Sequence, residues 1–207
     1  MIYISDLQYF PNIYYINTLY KLSDFTFTSN PGFKKSTLRN KTFLAGPNGV
    51  QSLSIPIKGG RGVKLEYGQV QPDNRTDWQT NHFRTIKTIY GNSPYFLLYE
   101  NSLKELYASR PNFLFEWNLS CLEFFIRFGK MSNMIHMYSS NVFLPNMESI
   151  ELSIKEVVIQ DEQAFPPYQQ VFMDKTGFQP NMSCLDLLMN MGPDSSRYIL
   201  DLSNKLH

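Results

Sequence analysis

The chain has 207 residues, of which 43% are hydrophobic and 18% are charged, with a formal net charge of +1 at pH 7. A chain of this size and composition can bury an ample core, which excludes an intrinsically disordered protein. The small net charge supplies no field that would attract nucleic acid, so no nucleic-acid partner is expected. Aromatic residues make up 15% of the chain, an excess that is compatible with a homodimer without requiring one.

The sequence also bears on location and metal binding. It has no stretch of roughly 18 apolar residues that could span a membrane. Its N-terminus lacks the pattern of a signal peptide, and we therefore expect a cytoplasmic protein. Cys121 and Cys184 lack metal-ligand spacing and are expected to be buried thiols in a reducing compartment. With only three histidines there is no zinc pattern, and no cofactor is identified.

The first 28 residues predict a compact βαβ unit. An apolar run at 2–5 suits a strand, residues 12–22 have helical periodicity, and residues 24–28 alternate as in a second strand. The two strands should be parallel, with a right-handed crossover. Because ligands of such sheets bind at the carboxyl ends of the strands, the segment Asp6–Pro11 is the first candidate for a binding loop.

The next part of the chain predicts a loop and then a β-hairpin. Residues 29–49 have the composition of a loop, with the strongest turn chemistry at 46–49. Apolar and polar residues alternate at 53–57 and again at 63–67, on either side of a glycine-rich loop at 58–62. This pattern favours two strands joined by a short turn.

Helical periodicity dominates the middle of the chain. Asp77 can cap a helix that runs to about residue 91, and two more helices are predicted at 95–108 and 117–129. Alternation at 150–159 then favours a strand.

The last fifty residues begin with an extended, aromatic and amide-rich segment at 163–170. A short helix follows, with Asn181 or Ser183 as its cap, and Gly192-Pro193 is expected to end it.

Together these elements predict an α/β fold with an N-terminal βαβ unit and a mixed sheet with flanking helices, for which we expect a Rossmann-like three-layer arrangement. The sequence contains no internal repeat. We expect a single domain over residues 1–207, with residues 160–207 packing as a C-terminal extension.

Several short segments, in a fixed order, carry a resemblance to a known family. They are Gln8-Tyr9-Phe10-Pro11, Asn40-Lys41, 47–49, 53–57, Trp78 with His82, Pro94-Tyr95-Phe96, Tyr168-Gln169 and 178–193. In order and approximate spacing, this series resembles the WbqC-like family of bacterial surface-polysaccharide gene clusters. The resemblance covers nearly the whole chain, and it implies a carbohydrate or activated-sugar context.

Three features depart from that family. Its acidic pair after the second strand is replaced by Thr-Ser-Asn at 28–30, and the basic partner of Asn40, usually arginine, is Lys41. A glycine- and serine-rich segment of longer members is missing between about residues 139 and 165. These departures favour a chain that binds another substrate or performs no chemistry.

His82 is the first candidate for a catalytic residue. It lies one helical turn from Trp78 and would act as a general base near neutral pH, with Asp6, Asp77 or Asp186 as the orienting carboxylate. Our catalytic assignment is His82 with Asp6. The alternative is a buried histidine that satisfies a backbone carbonyl beneath the tryptophan.

The remaining candidates would bind substrate. Gln8 and Tyr9 can hydrogen-bond to sugar hydroxyls, or they belong to a packed corner. Lys41 and Arg61 can meet phosphate, or they are solvated surface charges. The resemblance adds Asn40 to this set, together with Trp78.

A polar set near the C-terminus offers two further interpretations. Asp186 and Asn190 lie one helical turn apart, so their side chains face the same way. With Tyr168 and Gln169 they would either line the binding cleft or tie down the terminal helix.

The preferred interpretation is a transferase that moves a small acyl, aminoacyl or nucleotidyl group onto an amino sugar or nucleotide sugar in surface-polysaccharide biosynthesis. It would act on a small-molecule substrate, for which a nucleotide sugar is one candidate. The alternative is a non-catalytic protein that binds a glycan precursor or a partner enzyme.

Overall fold

A computed structural model describes residues 2–4, 7–22, 24–29, 32–33, 37–59, 65–132, 136–138, 149–150 and 165–205. The candidates Asp6 and Arg61 lie outside the described residues, as does the strand predicted at 150–159 beyond its first residue. The strands are β1 (Ile2–Ile4), β2 (Asp24–Phe27), β3 (Lys41–Gly46), β4 (Gly49–Ser54), β5 (His136–Tyr138) and β6 (Ser149–Ile150). The helices are α1 (Ile13–Leu22), α2 (Trp78–Tyr90), α3 (Phe96–Ala108), α4 (Leu114–Phe128), α5 (Met173–Thr176), α6 (Cys184–Met191) and α7 (Ser195–Lys205).

A parallel sheet with the strand order β5-β2-β1-β6 contains the N-terminal unit. β1 pairs with β2 in parallel, with Tyr3 opposite Thr26, and α1 connects the two strands along the chain. β5 and β6 add to the two sides of this pair, also in parallel. The predicted βαβ unit is therefore confirmed.

A separate antiparallel hairpin is formed by β3 and β4, with Lys41 opposite Ser54. The prediction of a loop over 29–49 is therefore wrong for β3. The predicted pairing of 53–57 with 63–67 is wrong where it is described, because Leu53 pairs with Thr42 and Glu66 bridges to Gly32; residues 63–64 lie outside the described residues. The physical reason is the turn: Gly49 has a φ of +94°, a conformation that glycine adopts without strain, and the chain reverses at 46–49 rather than at 58–62. Tyr67–Gln69 forms a 3-10 helix instead of a strand.

The helices begin and end close to their predicted positions, with three differences, of which the first is that the sequence does not predict the short helix α5. α4 begins at Leu114, because Leu114 and Phe115 add another buried turn before the predicted start. α7 was not predicted. Gly192 ends α6 with a φ of +57°, but Pro193 lies in the first turn of a short 3-10 helix that leads into α7.

The core is centred on α6, which contacts α1, α2, α3, α4 and β3. Its cap is Ser183, whose Oγ accepts from the Leu185 backbone N–H over 3.2 Å. Four apolar side chains of α6 are fully buried: Leu185, Leu187, Leu188 and Met189. The mixture of helices and strands confirms an α/β composition. The Rossmann-like three-layer arrangement is not confirmed, and the described strands form a parallel sheet and a separate hairpin rather than one mixed sheet.

Candidate functional site

Aromatic side chains surround His82 and the turn that follows β1, and we call this group the Tyr9 cluster. The Tyr9 hydroxyl lies 3.0 Å from His82 Nδ1 and 2.5 Å from the Tyr107 hydroxyl. Trp78 and Trp117 complete the cluster, and the Trp117 ring packs against both Trp78 and Tyr107. One loop and the helices α2, α3 and α4 supply these side chains, so only the folded chain brings them together.

Helix α2 sets the position of His82. Trp78 and His82 are four residues apart on the buried face of α2, and their rings meet edge to face with centroids 5.3 Å apart. The Trp78 indole N–H donates to Asn74 Oδ1 over 3.1 Å, which satisfies the polar edge of this buried ring. The histidine is thereby held beneath the tryptophan.

Burial holds His82 in its neutral form. Only 7% of the residue is exposed, and desolvation lowers its pKa to about 4, against an opposing effect of a hydrogen bond with the Ser54 backbone. The bond with Ser54 favours the protonated ring, so the imidazole is the donor in it. The N–H of the neutral ring is therefore used for Ser54, and Nδ1 accepts a hydrogen bond from the Tyr9 hydroxyl. Tyr107 then donates to the Tyr9 oxygen. Burial raises the pKa of both tyrosines, so both stay protonated near neutral pH.

The backbone before Tyr9 is held by further buried polar groups. The Tyr67 hydroxyl donates to the Leu7 carbonyl over 2.6 Å, and the Asn118 amide donates to the Tyr67 oxygen over 2.5 Å. Gln8, a predicted substrate-binding residue, is fully buried in this segment. The Leu7 carbonyl is thus fixed by a buried hydroxyl group, and Gln8 is buried next to it in the chain.

A second group, the Asp186 cluster, lies near the other end of α2. Asp186 is fully buried, and its carboxylate accepts from the Tyr90 hydroxyl over 2.8 Å, the Tyr168 hydroxyl over 2.5 Å and Gln170 Nε2 over 2.7 Å. Desolvation raises the pKa of Asp186 to about 6, although these hydrogen bonds act in the opposite direction. The carboxylate therefore joins α6 to α2 and to the segment before α5.

Two neighbours of this cluster have different surroundings. Asn190 Nδ2 donates to the Asp186 carbonyl over 2.8 Å, so the side chain bonds back onto its own helix. Gln169 is exposed, because successive residues of an extended segment point in opposite directions and its neighbours Tyr168 and Gln170 point inward. These contacts support the interpretation in which the polar set ties down the terminal helix.

The Asn40-Lys41 pair lies at the open end of the hairpin. Asn40 Nδ2 donates to the Ile55 carbonyl over 3.1 Å, and the Ile55 N–H donates to the Asn40 carbonyl over 2.8 Å. Asn40 is buried and fixes the end of the hairpin, whereas Lys41, the first residue of β3, is partly exposed.

The predicted site residues thus fall into separate groups. The hydrogen-bond partner of His82 Nδ1 is the Tyr9 phenol rather than a carboxylate. Asp186 bonds to Tyr90, roughly two turns along α2 from His82. Asp77 precedes α2 without a side-chain cap bond. The groups are Tyr9, Trp78 and His82; then Tyr168, Asp186 and Asn190; then Asn40 and Lys41; with Gln8 in the packed loop and Gln169 at the surface.

Sequence reasoning missed four residues that complete these clusters. Tyr107 lies four residues after Leu103 on the buried face of α3, and Trp117 lies on the buried face of α4. The periodicity of α3 places Tyr107 on the buried face, and a buried tyrosine hydroxyl needs a hydrogen-bond partner. The sequence therefore contains a sign that Tyr107 belongs to a buried polar cluster. Gln170 was detectable by its alternation with Tyr168, whereas the partner of Tyr90 depends on tertiary packing.

The described part of the chain also bears on metal binding and on membranes. Within it, no group of three or more histidine, cysteine or acidic side chains is arranged to hold a metal ion. No helix among those residues combines the length and the apolar character needed to cross a membrane.

Comparison with known families gives one match. The WbqC-like protein family matches residues 7–155 and, separately, residues 148–198, which together take in most of the chain. The two matches overlap at residues 148–155. No curated protein and no solved structure matches the chain significantly. By this match over nearly its whole length, the chain belongs to the WbqC-like protein family.

Proposed function

We propose that the protein transfers a small acyl, aminoacyl or nucleotidyl group onto an amino sugar or nucleotide sugar. The family to which the chain belongs is linked to polysaccharide biosynthesis in general. The specific reaction is our proposal, and so is the substrate class.

The observation that carries the proposal is the hydrogen bond between the Tyr9 hydroxyl and His82 Nδ1, on the loop that follows the carboxyl end of β1. Ligands of parallel sheets bind at this end of the strands. A neutral imidazole can accept a proton, and the low pKa of His82 keeps it neutral at physiological pH. The phenol of Tyr9, which is itself on the loop, is hydrogen-bonded to that base and can pass a proton to it.

In acyl transfer, the amine nitrogen of the acceptor sugar forms a bond to the acyl carbon of the donor. The bond between that carbon and the donor's leaving group breaks. The amine gives its proton to the Tyr9 oxygen while Tyr9 gives its own proton to His82 Nδ1. The proton on His82 Nδ1 then returns to the Tyr9 oxygen while Tyr9 gives its proton to the leaving group, so the protein ends in its starting state.

The other predicted roles stay proposals on the same terms. Asp6, next to the described loop, would orient the substrate or the base. Lys41 and Arg61 would meet phosphate groups of a nucleotide sugar. Among the described residues, Lys41 is partly exposed and so is available to a ligand.

A second candidate function is binding without catalysis, and the surroundings of His82 favour it. His82 is almost completely buried, its Nδ1 is occupied by Tyr9, and its lowered pKa makes it a weak base. These properties match a histidine that stabilises a packed interior, in a protein that holds a glycan precursor or a partner enzyme.

A thermal-shift screen of the purified chain tests whether it binds the proposed substrates. Nucleotide sugars, acyl-CoA thioesters, ATP and amino acids are added singly and in pairs. A ligand at about 100 times its Kd stabilises the folded state by about 2.7 kcal/mol, which is a readable rise in Tm. A rise with a nucleotide sugar and a further rise with one donor supports the transferase. No rise with any nucleotide sugar contradicts it.

The variant His82→Gln separates the two candidate functions. If His82 is the base, the variant retains the Tm rise with nucleotide sugar and loses turnover. Tyr9→Phe should show the same pattern, because it removes the hydroxyl and keeps the ring. A ligand-induced rise in Tm without turnover in the wild type supports the binding protein.

A further inference from the structure

The backbone of Phe10 adopts a conformation that is rare for its residue type. Its φ is +39°, in the left-handed region that bulky side chains avoid, and it precedes Pro11, which further restricts the backbone. Such a conformation persists only where surrounding contacts determine it, and it is concentrated at functional sites. Phe10 directly follows Tyr9, whose hydroxyl meets His82.

Two buried hydroxyl groups converge on the carbonyl oxygen of Phe10, and we call this arrangement the Phe10 corner. Thr42 Oγ1 of β3 donates to this oxygen over 3.0 Å, and so does Ser183 Oγ, at the cap of α6, also over 3.0 Å. Thr42 and Ser183 are both almost completely buried. The donors come from widely separated parts of the chain and together occupy both lone pairs of one carbonyl.

The backbone on either side of the corner is also tied down. The Tyr9 N–H donates to the Leu38 carbonyl over 2.9 Å, and the Cys184 N–H donates to the Pro11 carbonyl over 2.7 Å. The Phe10 ring packs against the Tyr9 ring with centroids 5.4 Å apart. Hydrogen bonds thus hold the backbone at Tyr9, Phe10 and Pro11, and the Tyr9 side chain leaves the loop from this fixed segment.

We infer that Thr42 and Ser183 are positioning residues, which hold the Phe10 corner so that the Tyr9 hydroxyl reaches His82 Nδ1. The inference rests on the proposed function in one respect, that the Tyr9–His82 pair is the reactive pair. Without both hydroxyl donors, the Phe10 peptide is free to turn toward a common conformation, and the Tyr9 hydroxyl moves away from the imidazole.

The hydrogen bond at His82 Nδ1 can be read without any substrate, by ¹⁵N NMR of the histidine side chains in the full chain. His82→Gln assigns the resonance. Tyr9→Phe removes the bond and gives the shift of a free Nδ1 acceptor. Thr42→Val, which replaces a hydroxyl by a methyl group, should move the resonance part of the way in the same direction. Thr42→Ser keeps the hydroxyl and should leave the resonance at its wild-type position.

Ser183 needs its own pair of variants because it also caps α6. Ser183→Ala should move the His82 resonance, and Ser183→Thr, which retains the hydroxyl, should not. A matched control is Ser195→Ala, because the buried Ser195 hydroxyl donates to the Gly192 carbonyl over 2.6 Å, away from the Phe10 corner. That variant loses the same kind of bond and should lower the Tm without moving the His82 resonance.

Two outcomes overturn the inference. The first is that Thr42→Val leaves the His82 resonance at its wild-type position although Tyr9→Phe moves it. The other is an equal shift in Thr42→Val, Thr42→Ser and Ser195→Ala, which would indicate general loosening of the fold. The proposed function can fail separately: if the positioning variants shift the resonance but His82→Gln leaves turnover unchanged, the Phe10 corner still positions Tyr9 and the pair is not reactive.

Discussion

Two buried titratable residues, His82 and Asp186, have pKa values shifted toward each other, and both shifts are caused mainly by desolvation. Burial disfavours the charged form of each group, which lowers the pKa of a base and raises that of an acid. In the folded chain His82 takes up a proton only near pH 4, and Asp186 loses its proton only near pH 6.

The two shifts have opposite effects on stability. Between about pH 4 and 6.5 the folded chain holds fewer protons at His82 than the unfolded chain, so this residue makes stability rise with pH. Between about pH 4 and 6 the folded chain holds more protons at Asp186, so this residue makes stability fall as pH rises. Each effect is about 3 kcal/mol over its range, and in the wild type they largely cancel.

Removing one group should therefore reveal the other. The variant His82→Gln should lose stability as the pH rises from 4 to 6, and Asp186→Asn should gain stability over the same range. The measurement is the free energy of unfolding from urea titrations at several pH values, with the wild type as reference. Parallel curves for the two variants would contradict the assignment of both shifts.

At the scale of elements, the hairpin shows how one turn decides a strand pairing. The alternation at 53–57 predicts a strand, and the glycine-rich loop at 58–62 favours a partner strand after it. The turn chemistry at 46–49 is equally strong, but by itself it does not show that the residues before it form a strand. Gly49, at a φ of +94°, allows the chain to reverse there, and β4 pairs with β3 instead.

Replacing Gly49 tests this account of the hairpin. Gly49→Ala introduces a Cβ at a positive φ and should destabilise the fold by about 1–3 kcal/mol through backbone strain alone, because no atom lies within 4 Å of that Cβ. Gly32→Ala, which also meets no atom within 4 Å and has no positive φ, is the matched control. Unfolding monitored by circular dichroism gives both values. An equal, small effect in both variants would show that the turn is not strained by a side chain.

Periodicity predicted α1, α2, α3 and most of α4, because each helix buries one regular face against the core. The missed helix α7 shows the limit of terminator rules. Glycine followed by proline reads as an end, but proline is equally suited to the first turn of a new helix. The burial of Tyr198, Ile199 and Leu202 then decides in favour of α7, and this depends on tertiary contacts.

For the whole molecule, the short helix α6 has a larger role than its position near the C-terminus suggests. It contacts the helices α1 to α4 and the strand β3. The carboxylate of its Asp186 accepts hydrogen bonds from Tyr90 on α2 and from Tyr168 before α5. A single domain with residues 160–207 as an extension stays a prediction. The sequence predicts that α6 is a helix, but it does not predict that α6 lies at the centre of the core. A pattern of apolar residues indicates that a helix is buried, and it does not indicate which other elements the helix contacts.

The central position of α6 predicts that one substitution there destabilises the whole chain. Leu188→Ala removes a fully buried side chain and should lower the free energy of unfolding by about 2–5 kcal/mol. Leu98→Ala, at a side chain that is 65% exposed, should change it by less than about 0.5 kcal/mol. Circular dichroism and tryptophan fluorescence should report coincident transitions. Separate transitions would mean that the segment around α6 unfolds independently of the Tyr9 cluster, which contains Trp78 and Trp117.

The sequence also indicates that Trp78 and His82 lie on one face of a helix, because they are four residues apart. It could not predict that the phenol of Tyr9 would meet the imidazole, since that contact joins residues 73 positions apart. The same limit applies to Asp186 and Tyr90, which are separated by 96 positions. Both clusters are products of packing around helices that periodicity had already indicated.

The central claim, group transfer through the Tyr9–His82 pair, is tested most directly by product mass. The wild type, Tyr9→Phe and His82→Gln are each incubated with a nucleotide-linked amino sugar and one donor, and the sugar is analysed by mass spectrometry. We expect the wild type to add the mass of the transferred group to the sugar. Each variant should form at least about 100-fold less product, as the loss of a general base implies. An unchanged sugar mass with every donor, or equal product from wild type and His82→Gln, would contradict the account.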